Sequence, residues 1–455
     1  MVQFTAKKTI KNYINSSNVL FIATILALIV VNVPFTREIY NTLWTHEIAL
    51  QVGGFNLFSH HGHPMSIMAF INDALMALFF FSVGLEIKRE VLVGELSSFR
   101  NALLPILGAI GGLSMPVLIY WLMARGTDFA GGAAIPMATD IAFSLGVLGL
   151  LGSRVPIGLK VFLTTLAVVD DIGGIIVIAL FYSTSIDWML LIYAAAALIV
   201  LFAGGKAGIQ SKIFYIAIGA VVWFCFLNAG IHPTIAGVLV AFCVPAKPVY
   251  APAKYIKTIR KNIGHFANED DERLSSKTIL NKAQMNWLKE IESASDKVIS
   301  PLQDMEDSLH PMVNYIIIPL FAFANAGIFL GDLSVNQLFH GIAPAIIVAL
   351  VVGKFLGIFS VSALTILLGW APMPKGASWK SLAAVSVLGG IGFTVSLFIA
   401  NLSFGGQDPQ TLKLLNDARL GIVIASVIAG LLGTLLLYFT LPKKGSKLPD
   451  EEPEE

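Results

Sequence analysis

The sequence predicts an all-α polytopic membrane protein, and three observations lead there. Of 455 residues 56% are hydrophobic and only 13% charged, with a mean hydropathy of +0.77; soluble domains carry nearly twice that charge. The apolar residues gather into twelve runs of helix-spanning length, roughly 17–25 residues. Basic residues cluster in alternate connections between those runs.

The runs fall near 19–35, 64–87, 101–123, 133–152, 157–182, 188–205, 210–228, 230–246, 312–330, 341–369, 380–402 and 415–440. Lys7, Lys8 and Lys11 precede the first. Lys88, Arg89 and Arg100 lie between the second and third, Arg154 and Lys160 between the fourth and fifth, and Lys206 and Lys212 between the sixth and seventh. Lys375 and Lys380 join the tenth to the eleventh, and Lys443, Lys444 and Lys447 follow the last. The opposite connections carry Glu38, Glu47, Asp128, Asp187, Asp332 and Asp408 instead. The positive-inside rule then places both termini in the cytoplasm, which an even number of spans requires. The chain divides into a cytoplasmic segment 1–18, a transmembrane domain 19–440 and an acidic cytoplasmic tail 441–455.

The net charge of +1 says nothing about nucleic acid, and the basic residues do not gather into a polar face that could track a phosphate backbone, so no nucleic-acid partner is expected. Cys225 and Cys243 both sit in apolar runs, as inert thiols rather than a disulfide or thiolate metal site. No small-residue cleavage site follows the first apolar run, so no cleaved leader is expected.

Two connections break the rhythm. In the external loop 36–62, Ala49–Val52 and Phe55–Phe58 flank Gly53-Gly54, which reads as a β-hairpin or as an ordinary loop. A hairpin alone is marginal in water, so it would pack on something, a second copy of the chain included. The segment 247–311 is long and hydrophilic, with Asn268-Glu-Asp-Asp-Glu272 and an amphipathic patch at 274–299, and reads as a solvated cytoplasmic loop with some helix.

The few ionisable residues inside the spans carry the functional signal. Asp170 and Asp171 are adjacent near the middle of the fifth run, where an ionised carboxylate costs several kcal/mol even on lenient scales. Each also disfavours charge on the other. Such a pair points to the handling of cations or protons. Lys354, the one basic residue read near the middle of a span, is too deep to snorkel and needs an anionic partner. Adjacent aspartates point about 100° apart on a helix, so one can face Lys354 and the other a cavity.

Pro136, Thr139 and Asp140 in the fourth run predict an interrupted helix lining a polar cavity. Gly389, Gly390 and Gly392 predict a second interruption or a close helix contact. Asp73, inside the second run, lines an access route or caps locally. Glu86, Arg89 and Glu90 end that run, with Glu86 and Glu90 on one face. They are an ordinary solvated helix end, or a titrating cluster joined by Glu306 and His310.

Taken together, Ala138-Thr-Asp-Ile-Ala-Phe143, Leu166-Ala-Val-Val-Asp-Asp-Ile-Gly173, Phe81-Ser-Val-Gly-Leu-Glu-Ile-Lys-Arg-Glu90, Pro319-Leu-Phe-Ala-Phe-Ala-Asn-Ala-Gly327, Gly353-Lys-Phe-Leu-Gly357 and Gly389-Gly-Ile-Gly-Phe-Thr394 resemble the NhaA-type sodium/proton antiporters of bacterial inner membranes. The resemblance implies inverted repeats, with the fourth and eleventh helices unwound and crossing at mid-membrane. It implies that Asp171 is the main ion-binding carboxylate, with Asp170 beside it pairing to Lys354 in some states. Asp140 and Thr139 complete the polar crossing, and Glu86, Arg89, Glu90, Glu306 and His310 belong to a pH-responsive region. Asp307 stands where the family's best-known pattern has histidine, and the 247–311 segment is longer than that pattern.

The function expected is exchange of cytoplasmic Na⁺ or Li⁺ for external protons by alternating access, pH-regulated and electrogenic. The protein would be a transporter and not an enzyme, with no cofactor, in the inner membrane. The 49–58 hairpin offers a surface for a homodimer. A sodium-coupled symporter of an organic solute is the alternative. An intramembrane aspartyl protease is a weaker rival: adjacent aspartates on one helix do not readily converge on one water, though Asp140 with Asp171 could, while no Gly-x-Gly-Asp pattern occurs and Lys354 has no role in that chemistry.

Overall fold

A bilayer core offers no water to backbone amides, so apolar runs of this length satisfy their hydrogen bonds within helices. A computed structural model describes residues 16–442 apart from 54, 61, 184–185, 249–251, 268–281, 332–338 and 407. Among the described residues, seven helices are long and apolar enough to cross a membrane: Ile67–Val93, Phe99–Ala124, Ile157–Phe181, Trp188–Lys206, Lys212–Ala229, Ile342–Leu367 and Pro409–Thr440. Three bent pairs bring the number to as many as ten: Ser16–Asn32 with Pro34–Thr45, bent by 112°, and Ala130–Met137 with Ile141–Gly149 and Trp379–Leu388 with Phe393–Phe404, each bent by 42°. This is an all-α, multi-pass membrane protein. The lysines of residues 7–11 and 443–447, Gly54, Asp332, the 268–272 run and the acidic tail lie outside the described residues.

Both interruptions expected from the sequence are present, in the fourth and eleventh runs. The outer connection differs from a plain loop. It begins with the Pro34–Thr45 helix, which buries Tyr40 and Trp44, four residues apart on one face, and exposes Phe35 and Ile39. Strand β2 (Gln51–Val52) then pairs antiparallel with β3 (Phe55–Asn56), while β1 (Glu47–Ile48), β5 (His63–Ser66) and β4 (Ser59–His60) form a three-stranded sheet in that order.

The segment 247–311 contains more helix than a loop does. Pro252–Ala267 and Lys282–Val298 lie within it. Its last part, Pro301–Met312, runs on through a turn of π-helix at Val313–Ile317 into Ile318–Asn325. The boundary read at 312 therefore falls inside a continuous helix. The sequence placed it there because hydropathy changes at that point while the backbone does not.

Glycine decides one contact. A Cβ on Gly357 would strike the carbonyl oxygen of Gly111, and one on Gly111 would strike that of Gly357. The Phe99–Ala124 and Ile342–Leu367 helices thus meet backbone to backbone, as small residues permit in membranes. That approach seats Lys354 deep in the protein. Turns of π-helix occupy Ala349–Gly353, just before Lys354, and Phe70–Leu75, which contains Asp73; such turns often mark functional positions.

Candidate ion-binding site

Where two helices break near each other, four unpaired backbone ends meet and must find partners. Residues 138–140 and 389–392 are those breaks. Asp140 N donates to the Ile391 carbonyl at 2.7 Å. Its Oδ1 accepts from Phe143 N at 2.9 Å, capping the Ile141–Gly149 helix. Its Oδ2 accepts from Thr394 N at 2.9 Å and Thr394 Oγ at 2.5 Å, so the same carboxylate also serves the start of Phe393–Phe404. One buried negative charge sits against two positive helix ends, a favourable placement. Leaving either amide without an acceptor costs about 1–3 kcal/mol.

Thr139 ties the crossing to the fifth helix. Its hydroxyl lies 2.7 Å from Asp170 Oδ2 and 2.8 Å from the Gly389 carbonyl, and its one proton serves one of them at a time. Lys354 Nζ sits 2.5 Å from the same Asp170 oxygen, with both side chains fully buried. Asp170 is therefore the aspartate that meets the lysine.

Asp171 points elsewhere, as the 100° offset requires. Its Oδ1 is buried and has no hydrogen-bond partner among the described residues. It lines a cavity of about 280 Å³ together with Glu86, Thr139, Asp140, His310, Asn314 and Thr394. A larger cleft of about 550 Å³, walled by Arg100, Phe162 and Lys375 among others, holds none of the intramembrane aspartates.

One turn from Glu86, which lines the smaller cavity, Arg89 joins two helices. It lies 3.2 Å from Glu90 Oε1 and its Nε lies 3.0 Å from Glu306 Oε1. Burial pushes the Glu306 carboxyl above the usual carboxylate range, and the Arg89 guanidinium pulls it back down. Asn314 Nδ2 reaches His310 Nε2 at 3.0 Å. Asp304 and Ser308 on the same turns hold Lys212 Nζ, each at 2.7 Å.

Asp73 stands apart from this group. Its Oδ1 is 3.5 Å from His232 Nε2, and its carbonyl accepts from Trp223 Nε1 at 3.0 Å. His232 was not singled out in the sequence, since nothing in Gly230-Ile-His-Pro-Thr234 marks it as facing a carboxylate.

A second set was also missed. Arg419 Nη2 donates to Asn401 Oδ1 at 2.9 Å and lies 3.4 Å from Asn325 Oδ1. Asn401 Nδ2 donates to Asn325 Oδ1 at 2.8 Å, and Asn325 Nδ2 donates to Asn72 Oδ1 at 3.0 Å. This knot joins four helices. It adds a basic residue held inside a helix to Lys354, which the sequence singled out as the one near the middle of a span. Arg419 lies well inside Pro409–Thr440, whose first turns the apolar run omitted because they are polar. Between the knot and the aspartates lies a layer of phenylalanines. Phe398 packs on Phe80 at 5.6 Å and Phe321 at 6.3 Å between ring centroids. Of the two cysteines, Cys225 is buried and Cys243 is partly exposed.

Fold and site define a polytopic membrane protein with an unpartnered carboxylate lining a polar cavity and a lysine-paired one beside it. The chain belongs to the Na⁺/H⁺ antiporter 1 family, whose pattern matches residues 7–437. It is 53% identical over 448 residues to the Na(+)/H(+) antiporter NhaA of Phocaeicola vulgatus, with 97% of each chain covered. To the Na(+)/H(+) antiporter NhaA of Bacteroides fragilis it is 51% identical over 433 residues, 95% of this chain and 97% of the relative. The Helicobacter pylori NhaA antiporter matches at 42% over 443 residues, 96% and 97% of the two chains. The resemblance read from the motifs therefore holds over nearly the whole chain. The protein is a secondary transporter for Na⁺/H⁺ exchange and not an enzyme.

Proposed function

We propose that the chain exchanges cytoplasmic Na⁺, or Li⁺, for external H⁺ by alternating access, with Asp171 as the principal ion ligand. The observation that carries this is the unpartnered Asp171 oxygen in a polar cavity, beside an Asp170 already engaged by Lys354. A small hard cation seeks oxygen ligands, and carboxylates, hydroxyls and unwound carbonyls supply them. Na⁺ and protons compete for the same carboxylate. When Na⁺ leaves, a proton takes its place, and Asp170 trades between Lys354 and the cavity. If two groups release protons for each Na⁺ bound, the cycle is electrogenic.

Counting each bent pair once, with Thr234–Cys243 and the helix ending at Asn325, gives twelve crossings. An even number puts both termini on one side, which the basic connections make the cytoplasm, and the likeness to NhaA antiporters supports inverted repeats in the bacterial inner membrane. The strands at 47–66 are the surface through which two copies would pair. In proteoliposomes carrying an imposed pH gradient, Na⁺ and Li⁺ should dissipate it and K⁺ should not. Uptake of an organic solute in proportion to Na⁺ would favour the symporter instead.

The cavity with Glu86 and His310 is the cytoplasmic approach, and the phenylalanine layer and the Asn72–Asn325–Asn401–Arg419 knot form the external closure. Loosening the knot then depopulates the inward-open state, and apparent affinity falls with the competent fraction. Arg419→Met should raise KM for cytoplasmic Na⁺ several-fold with kcat little changed, measured in everted vesicles. An unaltered KM would remove the knot from the gating step.

Glu306 supports the pH response. As pH rises through its elevated pKa the mouth gains negative charge, which concentrates cations there. Removing the guanidinium that draws this pKa down raises it further. Arg89→Ala should therefore move the activating limb of exchange against pH to higher pH, and a limb that stays in place would contradict the assignment.

A further inference from the structure

The Pro252–Ala267 helix carries four basic residues and no acidic one, yet the exchange reaction makes no use of it. It pairs with Lys282–Val298 through a buried Asn262 Nδ2 to Glu290 Oε2 hydrogen bond of 2.9 Å and the stacked rings of His265 and Trp287, 5.1 Å apart. That pairing accounts for one face of the helix. On the other face Ile256 and Ile263 are 46% and 53% exposed and, seven residues apart, lie on one stripe. Exposed Lys257, Arg260 and Lys261 flank them, and none forms an ion pair among the described residues.

We propose that this face lies on the anionic cytoplasmic leaflet of the protein's own membrane, with Ile256 and Ile263 in the headgroup boundary and Lys257, Arg260 and Lys261 among the phosphates. The proposal rests on reading this segment as cytoplasmic. Apolar residues bordered by lysine and arginine are what an in-plane interfacial helix needs, and the leaflet's negative surface potential attracts such a cluster within about one Debye length. The tether allows it. Eight residues, 244–251, separate the end of the apolar Thr234–Cys243 helix from Pro252, a reach of at most about 30 Å. Lys88 holds the carbonyls of Phe242 and Val244 at that helix end, beside the charged Glu86–Glu90 turn. Water, the protein body and a soluble protein are the other places the face has to go, and the charge favours the leaflet.

The test uses the full chain, with Cys225→Ser, Cys243→Ser and Ile263→Cys, carrying a polarity-sensitive fluorophore at position 263. Reconstitution is in nanodiscs of phosphatidylcholine with or without phosphatidylglycerol. With the anionic lipid the emission should shift to the blue and be quenched by spin-labelled lipid. Molar salt, or Lys257→Glu with Arg260→Glu and Lys261→Glu, should reverse both effects, while Na⁺/H⁺ exchange by each chain confirms that it is folded. Emission typical of water in both lipids would overturn the proposal. So would a blue shift that is equal in both lipids and survives charge reversal, because the face would then rest on protein. Labelling of the thiol introduced by Ile263→Cys with an impermeant reagent, in everted against right-side-out vesicles, reports the side independently. Labelling from outside alone would overturn the orientation rather than the membrane contact.

Discussion

Asp171→Asn should abolish Na⁺-dependent dissipation of the pH gradient in everted vesicles while leaving the protein folded. Asparagine keeps the volume and removes the charge. Asp171 makes no hydrogen bond among the described residues and lines the cavity, so the substitution breaks no hydrogen bond there. What it removes is a carboxylate of the cavity that no hydrogen bond among the described residues engages. Even residues that merely orient metal ligands change affinity by about 10–100-fold, so loss of the principal ligand should lower exchange by at least about 100-fold. Thermal unfolding of purified protein should be nearly unchanged, or shifted slightly upward, because a buried uncompensated carboxylate has been replaced by a neutral amide. Full exchange by this variant would sink the assignment of Asp171. A large drop in Tm would show that the residue is structural after all.

Lys354→Met should have the largest effect on stability. Lys354 and Asp170 are both fully buried and 2.5 Å apart. Removing one member of such a pair strands the other charge, which typically costs about 3–5 kcal/mol. Thr139 donates at most one hydrogen bond to Asp170, and Asp170 Oδ1 has no partner among the described residues, so little else offsets the loss. Tm in detergent should fall by several degrees or more. Adding Asp170→Asn should recover most of the loss, because neutralising both partners is often neutral for stability. Failure of the double variant to recover would show that Lys354 is held by something other than Asp170. The two variants also separate two roles. Asp171→Asn strikes exchange with little effect on stability. Lys354→Met strikes stability first, and exchange only through the position of Asp170.

Both expectations concern residues that stood out in the sequence for one reason: charge inside an apolar run is costly, so it is conspicuous. Asp170, Asp171, Asp140 and Lys354 were legible on that ground, and so were the two interruptions, since proline and clustered glycines weaken a helix, although Phe99–Ala124 continues through Pro105 and Pro116. The Pro34–Thr45 helix was less so, because its four-residue spacing of Tyr40 and Trp44 lies within a connection whose strongest local signal is the paired glycines. The Asn72–Asn325–Asn401–Arg419 knot was not legible at all. Single asparagines in separate helices carry no pattern, and Arg419 lay close enough to the edge of its apolar run to pass as an end residue.

By itself the sequence determined the class of protein, where the apolar helices run and the short list of ionisable groups inside them. These follow from hydropathy, charge and helix-breaking residues, all of which are local properties. Which aspartate meets Lys354 and which faces the cavity was decided only by tertiary structure. So was the double duty of Asp140, which spends both its oxygens on two helix ends. Partnership is a property of positions 31, 184 and 254 residues apart in the chain, and no local rule reaches across such distances.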